Sequence, residues 1–477
     1  NDRVGLSATN FTLQSDATNG TGTFVDLNTT GGLTVSGTTT VNQNLSSYRS
    51  WYMSSPVAGA QPVGMNRIKY YNEADNSWPV LYNSGVSEGQ TAVPYNSNSF
   101  ETGRGYLVVP DADDTNIQFT AEGEGKLNTG VKEIILKKTV DAAATKSGFN
   151  LIGNPYPSYL DWTAVYTANA DKFSDATMWY RTKVETLTPG VYEYKFWTVN
   201  GEGVGSVDGA TKEIPPMQAF WVWSNANNNV LTLNKDMRCH APSANKLLKA
   251  PAAINNELPL VRLQVNNGAN TDEAVIYFSA NASDGRDAYD APKMSNENTA
   301  IPEIYTVLGT EHLVINGMNS IPVDQEIGLG FEAGNAASFS LKAIEVRNLP
   351  ANVKLILKDK VTNAETDITD GVSGYEFTPL ATSDTRFSVI FRTTGAVTGI
   401  DKHNDGSFNV YSNQKNQITV LNNHLSGEGS VVSVYNAVGQ KLLSKQITGS
   451  VTMIEGNFTA GVYVVKVNNT SMKVIVK

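Results

Sequence analysis

Apolar and polar residues alternate along most of this chain with a period of two, the signature of strands rather than helices. Val261-Arg-Leu-Gln-Val265, Phe339-Ser-Leu-Lys-Ala343 and Phe387-Ser-Val-Ile-Phe391 each place apolar side chains on one face of an extended segment. Ala274-Val-Ile-Tyr-Phe278 and Val353-Lys-Leu-Ile-Leu357 are more continuously apolar. Turn residues part these runs at regular intervals, which predicts an antiparallel sandwich over 258–393. Shorter alternating runs over 1–45, parted by Gly and Asn, read as a strand-rich N-terminal piece. They fit either the closing rungs of a β-solenoid or a strand pair docked on the next domain.

Residues 46–245 follow the same period but carry all seven tryptophans, from Trp51 to Trp223. Within them a set of elements recurs in order. Trp51-Tyr-Met-Ser-Ser-Pro56 resembles Phe149-Asn-Leu-Ile-Gly-Asn-Pro155. Ile68-Lys-Tyr-Tyr71 with Trp78-Pro-Val-Leu-Tyr82 resembles Met178-Trp-Tyr180 with Tyr192-Glu-Tyr-Lys-Phe-Trp197. Gly103-Arg-Gly-Tyr-Leu-Val-Val109 then answers Met217-Gln-Ala-Phe-Trp-Val-Trp223, and Ile117-Gln-Phe-Thr answers Val230-Leu-Thr-Leu. The expectation is a duplicated aromatic sandwich or jelly-roll region with halves of about 46–140 and 141–245. Asp161, before Trp162-Thr-Ala-Val-Tyr, is placed to cap a short helix.

Residues 407–477 form a last alternating stretch. It contains Val434-Tyr-Asn-Ala-Val-Gly-Gln, then Gly461-Val-Tyr-Val-Val-Lys-Val, then Lys473-Val-Ile-Val-Lys. Gly439 and Gln440 interrupt the period where a hairpin turn is needed, and Gly461 precedes the final strand pair, where a bend is expected. In this order, the three motifs resemble the C-terminal sorting domain of type IX secretion cargo in the Bacteroidetes. The resemblance implies an Ig-like domain recognised by the outer-membrane secretion machinery. Gly439, Gln440, Gly461, Tyr463, Lys473, Val474 and Lys477 would carry the signal. It also implies a secretory signal upstream in the precursor, since the residues from Asn1 hold no apolar signal core. Gly148–Trp162 with Ile214-Pro-Pro-Met-Gln-Ala-Phe-Trp-Val, and Asp284-Gly-x-x-x-x-Asp290-Ala-x-Lys293 with Pro302-Glu-Ile-Tyr305 and Arg386-Phe-Ser-Val-Ile-Phe391, resemble adhesin-like modules that precede such domains. Thr385 stands where those modules carry Asn or Asp before the arginine. The expected fold is therefore all-β and multidomain.

Composition narrows the function classes. The 46 acidic and 36 basic residues leave a formal charge of −10, which disfavours nucleic acid or an anionic membrane as partner. No apolar run is long enough for a transmembrane helix. The lone cysteine, Cys239, excludes an internal disulfide. His240, His312, His403 and His424 are scattered without metal-ligand spacing, and no Ser-His-Asp arrangement is evident. Asp284, Asp287 and Asp290 on one loop are candidate calcium ligands, or else turn carboxylates that accept backbone N–H bonds. Glu122-Gly-Glu124 offers a carboxylate pair without a positioning group. Gly201-Glu-Gly-Val-Gly205 reads as a hairpin loop. Trp78, Trp179, Tyr180 and Trp197 are the candidate ligand-binding aromatics, against the alternative that such rings fill the cores. The function expected is non-enzymatic: an adhesin-like protein at the cell surface or outside the cell, bound to a host protein or glycan and needing no cofactor. A carbohydrate-binding accessory region, or the C-terminal stalk of a larger surface enzyme, is the alternative.

Overall fold

A computed structural model describes residues 6–26, 32–85, 91–94, 100–139, 147–240, 258–296, 298–333, 336, 338–378, 383–393, 408–412, 416–422, 431–447, 449, 451–467 and 470–476. The fold is all-β and multidomain, and one α-helix, Trp162–Asn169, occurs among the described residues. Asp161 caps that helix by accepting a bond from the Ala164 N–H at 3.3 Å, as the sequence predicts. The chain divides into two compact units, Asn1–Thr394 and Gly395–Lys477.

In the larger unit the duplicated elements take equivalent places. One four-stranded sheet has the order Val80–Asn83, Met65–Tyr70, Tyr106–Pro110, Trp51–Met53. A second has the order Tyr192–Val199, Met178–Glu185, Ala219–Trp223, Phe149–Gly153. Each expected counterpart sits at the same position in its sheet. Each copy also has a further strand pair: Thr38–Leu45 with Thr115–Glu122, and Lys132–Leu136 with Asn229–Leu233. Strand pairing starts the copies at Thr38 and Lys132, where the recurring motifs had suggested about 46 and 141. Two separate cores result, one around Val41, Ile68, Val108 and Phe119, the other around Trp162, Met178, Phe220 and Leu231.

The N-terminal strands pair in parallel. Leu6–Ala8 lies on Leu33–Val35, and Phe11–Leu13 lies on Thr38–Leu45. This is the stacking of one rung on another, yet the second rung ends in a strand of the first sandwich copy. Phe11, Leu13, Phe24 and Leu33 pack on the core of that copy, so residues 6–45 contribute to it.

Leu260 to Thr393 contribute one eleven-stranded sheet that curls round a main core, with a second buried cluster about Val275, Tyr277 and Ile315. Phe377, near one end of the strand order, lies 4.8 Å from Phe387, near the other. Buried ion pairs brace this sheet. Arg386 Nη2 lies 2.9 Å from Asp359 Oδ2, which also accepts the Tyr375 hydroxyl at 3.0 Å. Lys293 Nζ pairs with Asp272 and lies 2.8 Å from Glu303 Oε2. The residues that carried the module resemblance thus have structural roles here.

The smaller unit is a sandwich of a three-stranded sheet, Phe408–Tyr411, Gln417–Asn422 and Val451–Glu455, and a four-stranded one. The latter runs Lys441–Gln446, Val431–Asn436, Gly461–Val467, Thr470–Val476. Ile418, Val420, Val432, Val434 and Val465 fill its core.

Candidate functional site

Strand parity builds the site. In Met65–Tyr70 the side chain of Ile68 enters the first core, so Arg67 and Lys69 emerge on the opposite face. In Tyr106–Pro110, Tyr106 and Val108 point inward and Leu107 points outward, opposite Lys69 and Tyr52 in register. The second copy repeats the rule. Met178 and Phe220 enter its core, and Trp179 and Trp221, paired across neighbouring strands, turn away from it. The two outward faces meet and enclose a cleft of about 580 Å³, a common size for a small-ligand site.

Tyr52, Tyr71, Trp78 and Trp221 form one wall. Ring centroids lie 4.8 Å apart for Tyr71–Trp221, 5.4 Å for Tyr71–Trp78 and 6.1 Å for Trp78–Trp221, at steep interplanar angles. These edge-to-face contacts satisfy the ring quadrupoles and hold the wall rigid. Phe149, Trp179, Arg181 and Phe196 come from the second copy, and Met294 and Ser295 from the eleven-stranded region. Arg181 Nη1 donates to the Tyr52 hydroxyl at 3.3 Å, with its guanidinium 4.5 Å from the centre of the Tyr194 ring.

The polar lining is unbalanced. Among the described residues, Arg67, Lys69 and Arg181 are the charged side chains of the lining. The indole N–H groups of Trp179 and Trp221 are buried without an acceptor. Tyr71 donates its hydroxyl proton to Asn76 Oδ1 at 2.6 Å, and burial, helped by Glu73 and Asp75, pushes its pKa up to about 12. The nearby Glu73 is engaged elsewhere, accepting the N–H groups of Thr139 and Gly148. The cleft therefore presents flat apolar faces beside the donors of Arg67, Lys69 and Arg181.

Of the aromatics picked from sequence, Trp78 and Trp179 line this cleft. Tyr180 and Trp197 pack against the second core instead. Neighbours on a strand face opposite ways, so Trp179 and Tyr180 cannot serve one site. Sequence reasoning missed Tyr52, Tyr71, Trp221 and the three cations. Their signal was available in the alternation itself, since Arg67, Lys69 and Tyr71 share one face.

The aspartate loop does not form a metal cage. Asp287 accepts the N–H groups of Ser283 (2.8 Å) and Tyr289 (2.7 Å), and Asp290 those of Asp287 (2.9 Å) and Gly317 (3.0 Å). Asp284 accepts the Asn319 N–H at 3.3 Å. Arg286 pairs with Asp175 and Glu311, adding a cation to the loop. Among the described residues, no three His, Cys, Asp or Glu side chains are grouped to hold a metal ion. The turn-carboxylate alternative accounts for these contacts, and the calcium reading of Asp284, Asp287 and Asp290 is set aside.

Cys239 is half-buried, and burial with the nearby Asp161 and Glu213 pushes its thiol up to about 11, away from nucleophilic character. Gly201-Glu-Gly-Val-Gly205 is a loop pinned by Asn200 Oδ1, which accepts the Val204 N–H at 2.8 Å. A Cβ at Gly205 would fall 1.9 Å from the Ala210 carbonyl oxygen, so the glycine is there for close backbone approach.

In the smaller unit, Gly439 turns at φ +81° while Asn436 Oδ1 accepts the Gln440 N–H at 2.9 Å, closing the expected hairpin. Tyr463 is buried and donates its hydroxyl to the Thr459 carbonyl at 2.9 Å. Lys473 is exposed beside the buried Val474 on the closing strand. Gly461 follows a bend at Ala460 and is the first residue of a strand, paired with Val476; a Cβ there would meet only the Thr459 oxygen at 3.8 Å. Lys477 lies outside the described residues.

A family model described as a domain of unknown function, DUF8693, matches residues 7–391. The chain belongs to this family. The match takes in the rung-like N-terminal strands, both aromatic copies with the cleft, and almost all of the eleven-stranded sheet. It ends before the smaller unit, so the DUF8693 region and the C-terminal sandwich are distinct parts of the chain. No curated protein matches the sequence.

Proposed function

We propose that this chain is a non-enzymatic, adhesin-like protein of the cell surface or extracellular space. In this reading its DUF8693 region holds the ligand, and its C-terminal unit directs export through the type IX machinery. The observation that carries the export reading is the organisation of the smaller unit. It has its own core, and the resembling motifs fall on one sheet. These are the Asn436–Gln440 turn and the paired strands Gly461–Val467 and Thr470–Val476. Tyr463 and Val474 lie in the core, while Lys473 stays in solvent on the edge strand between exposed Ser471 and Ile475, leaving a sheet edge for recognition.

The test is a fusion of residues 400–477 to a neutral reporter in a type IX-competent host. Reporter at the surface or in the medium is the expected result. Retention in the periplasm would overturn the sorting assignment.

The cleft favours a second component, a carbohydrate-binding role. Planar rings beside donors suit a sugar, whose apolar C–H face can lie on a ring while its hydroxyls meet the edges. A glycan array with the whole chain should show saturable binding that Trp78→Ala abolishes. Undiminished binding by that variant would move the ligand away from the cleft.

A further inference from the structure

We propose that Lys293 and Asp272 become joined by an amide bond between their side chains, formed inside the folded protein with Glu303 as proton carrier. The three side chains meet within the eleven-stranded sheet. Asp272 lies near the start of Thr271–Phe278, Lys293 directly follows Ala291–Pro292, and Glu303 opens Glu303–Leu308. All three strands pair with Glu311–Met318, which gathers these residues at one place. Lys293 Nζ contacts Asp272 Oδ2 and lies 2.8 Å from Glu303 Oε2. The backbone of Lys293 is fixed as well, its N–H donating to the His312 carbonyl at 2.9 Å.

Burial turns this ion pair into a reactive one. The side chains of Lys293, Asp272 and Glu303 are only 5%, 12% and 6% exposed. Separated charge is costly where water is excluded, and a proton passed from the ammonium to a carboxylate removes it. Burial pushes the Glu303 carboxyl up, against the pull of Lys293. Burial also works to lower Lys293, and the attraction of Asp272 and Glu303 outweighs it, so the ammonium depends on these two carboxylates. One proton shifted from Lys293 to Asp272 leaves an amine facing a carboxylic acid with which it is already in contact, and fixed contact replaces the entropy of an encounter. Lys195, a second lysine nearby, donates to the Thr271 carbonyl instead.

The step balances without a further reagent. The Nζ lone pair attacks Asp272 Cγ and forms the C–N bond. The Ile304 N–H donates to Asp272 Oδ2 at 2.8 Å, where it can hold the charge that gathers on that oxygen. Glu303 takes a proton from the nitrogen and hands it to Oδ1, which leaves as water when its C–O bond breaks. One ammonium and one carboxylate become one amide and one water, with nothing oxidised or reduced. The bridge closes the chain between Asp272 and Lys293, a restraint on the unfolded state of the kind a disulfide supplies, in a chain whose lone cysteine excludes an internal disulfide. It also anchors the neighbouring Met294 and Ser295, which line the cleft.

Mass spectrometry of the whole purified chain tests this. The expected intact mass is lower than the sequence mass by one water, and a tryptic digest should yield a branched peptide joining Asp272 to Lys293. Glu303→Gln, with an unchanged circular dichroism spectrum, should remain at full mass. Asp272→Asn should give the same branched peptide with loss of one ammonia in place of water. Wild-type chain at full sequence mass would overturn the proposal. A lost water that persists in Lys293→Met, or that maps to an Asp-Gly step such as Asp284-Gly285, would overturn it equally. A branched peptide joining Lys293 to Glu303, or bond formation undiminished in Glu303→Gln, would overturn the roles given to the two carboxylates.

Discussion

The aromatic cleft and the eleven-stranded sheet lie in one compact unit and handle polarity in opposite ways. Within the sheet, cations are brought against carboxylates: Arg386 against Asp359, and Lys293 against Asp272 and Glu303. The aspartates of its long loop are likewise occupied by backbone N–H groups. In the cleft, Arg67, Lys69 and Arg181 stand beside aromatic rings, and among the described residues the buried indole N–H groups of Trp179 and Trp221 have no acceptor. Buried charges that already have partners hold an architecture together. Donors that still lack an acceptor are where a ligand has something to contribute. The contrast is the reason for proposing the ligand site in the duplicated region rather than in the sheet, although the sheet carries more of the charged motifs visible in the sequence.

The sharpest way to break this contrast is to open the strongest buried pair. Arg386→Leu strands Asp359, which is 1% exposed and still faces the Tyr375 hydroxyl. Loss of one partner from a buried pair costs about 3–5 kcal/mol. Urea denaturation should show that loss in the DUF8693 region, with the smaller unit unchanged. A loss below about 1 kcal/mol, the level of an exposed pair, would remove the structural role assigned to the sheet's charges.

Acidity sharpens the comparison within the sheet, because two aspartates there respond in opposite directions. Bonds from Arg386, Val361 and Tyr375 outweigh burial at Asp359 and hold its pKa down at about 2. That contribution is complete above the unfolded value near pH 4 and is lost as pH falls through 2. Burial pushes Asp290 up to about 6, against its bonds from Asp287 and Gly317. Its contribution is complete below about pH 4 and is lost as pH rises through 6. Each shift amounts to about 2–3 kcal/mol. Asp359→Asn should therefore flatten the stability profile between pH 2 and 4 on its own, and Asp290→Asn between about pH 4 and 6. Parallel profiles for wild type and Asp290→Asn across the upper window would show that burial does not tune this group.

How far the chain can be read without its structure follows from the same two regions. Strand content, the duplication and its order were legible because an alternating pattern and a repeated motif are local. The repeat boundaries were not, because Thr38–Leu45 and Lys132–Leu136 carry no aromatic marker and are assigned only through partners distant in sequence. Trp78 and Trp179 were legible as candidates by residue type. Parity within one strand excluded Tyr180 from the face of Trp179. Trp221 joins Tyr71 only after two sheets are packed face to face. The aspartate loop misled because ligand chemistry and turn chemistry call for the same residues, and only the directions of the Ser283, Tyr289 and Gly317 N–H groups separate them.

On the cleft side, the largest separation of binding from stability should come from Trp78→Ala. Each aromatic pair contributes about 0.5–1.5 kcal/mol beyond area. Trp78 contacts Tyr52, Tyr71 and Trp221 but lies outside both principal cores. The expected cost is about 1–2 kcal/mol of stability, with glycan binding abolished. Unfolding of the whole region by this substitution would make the ring wall a core and weaken the distinction between the two regions.

The smallest expected effect is that of calcium on the aspartate loop, and it tests the contrast where the sequence is most ambiguous. A site that bound calcium in the folded state alone would gain about 2.7 kcal/mol at a hundredfold excess over its dissociation constant. The melting temperature would then rise visibly between chelator and millimolar calcium. Here both oxygens of Asp287 and both of Asp290 already accept backbone N–H groups, and Arg286 reaches Asp175 and Glu311 beside them. Calcium would have to displace those bonds and approach a guanidinium. The melting temperature should therefore move by less than about 1 °C, while Asp287→Asn costs about 1 kcal/mol through its weakened turn bonds. A rise of several degrees with calcium, abolished in Asp287→Asn, would make the loop a ligand site and leave the cleft as one of two such places in the DUF8693 region.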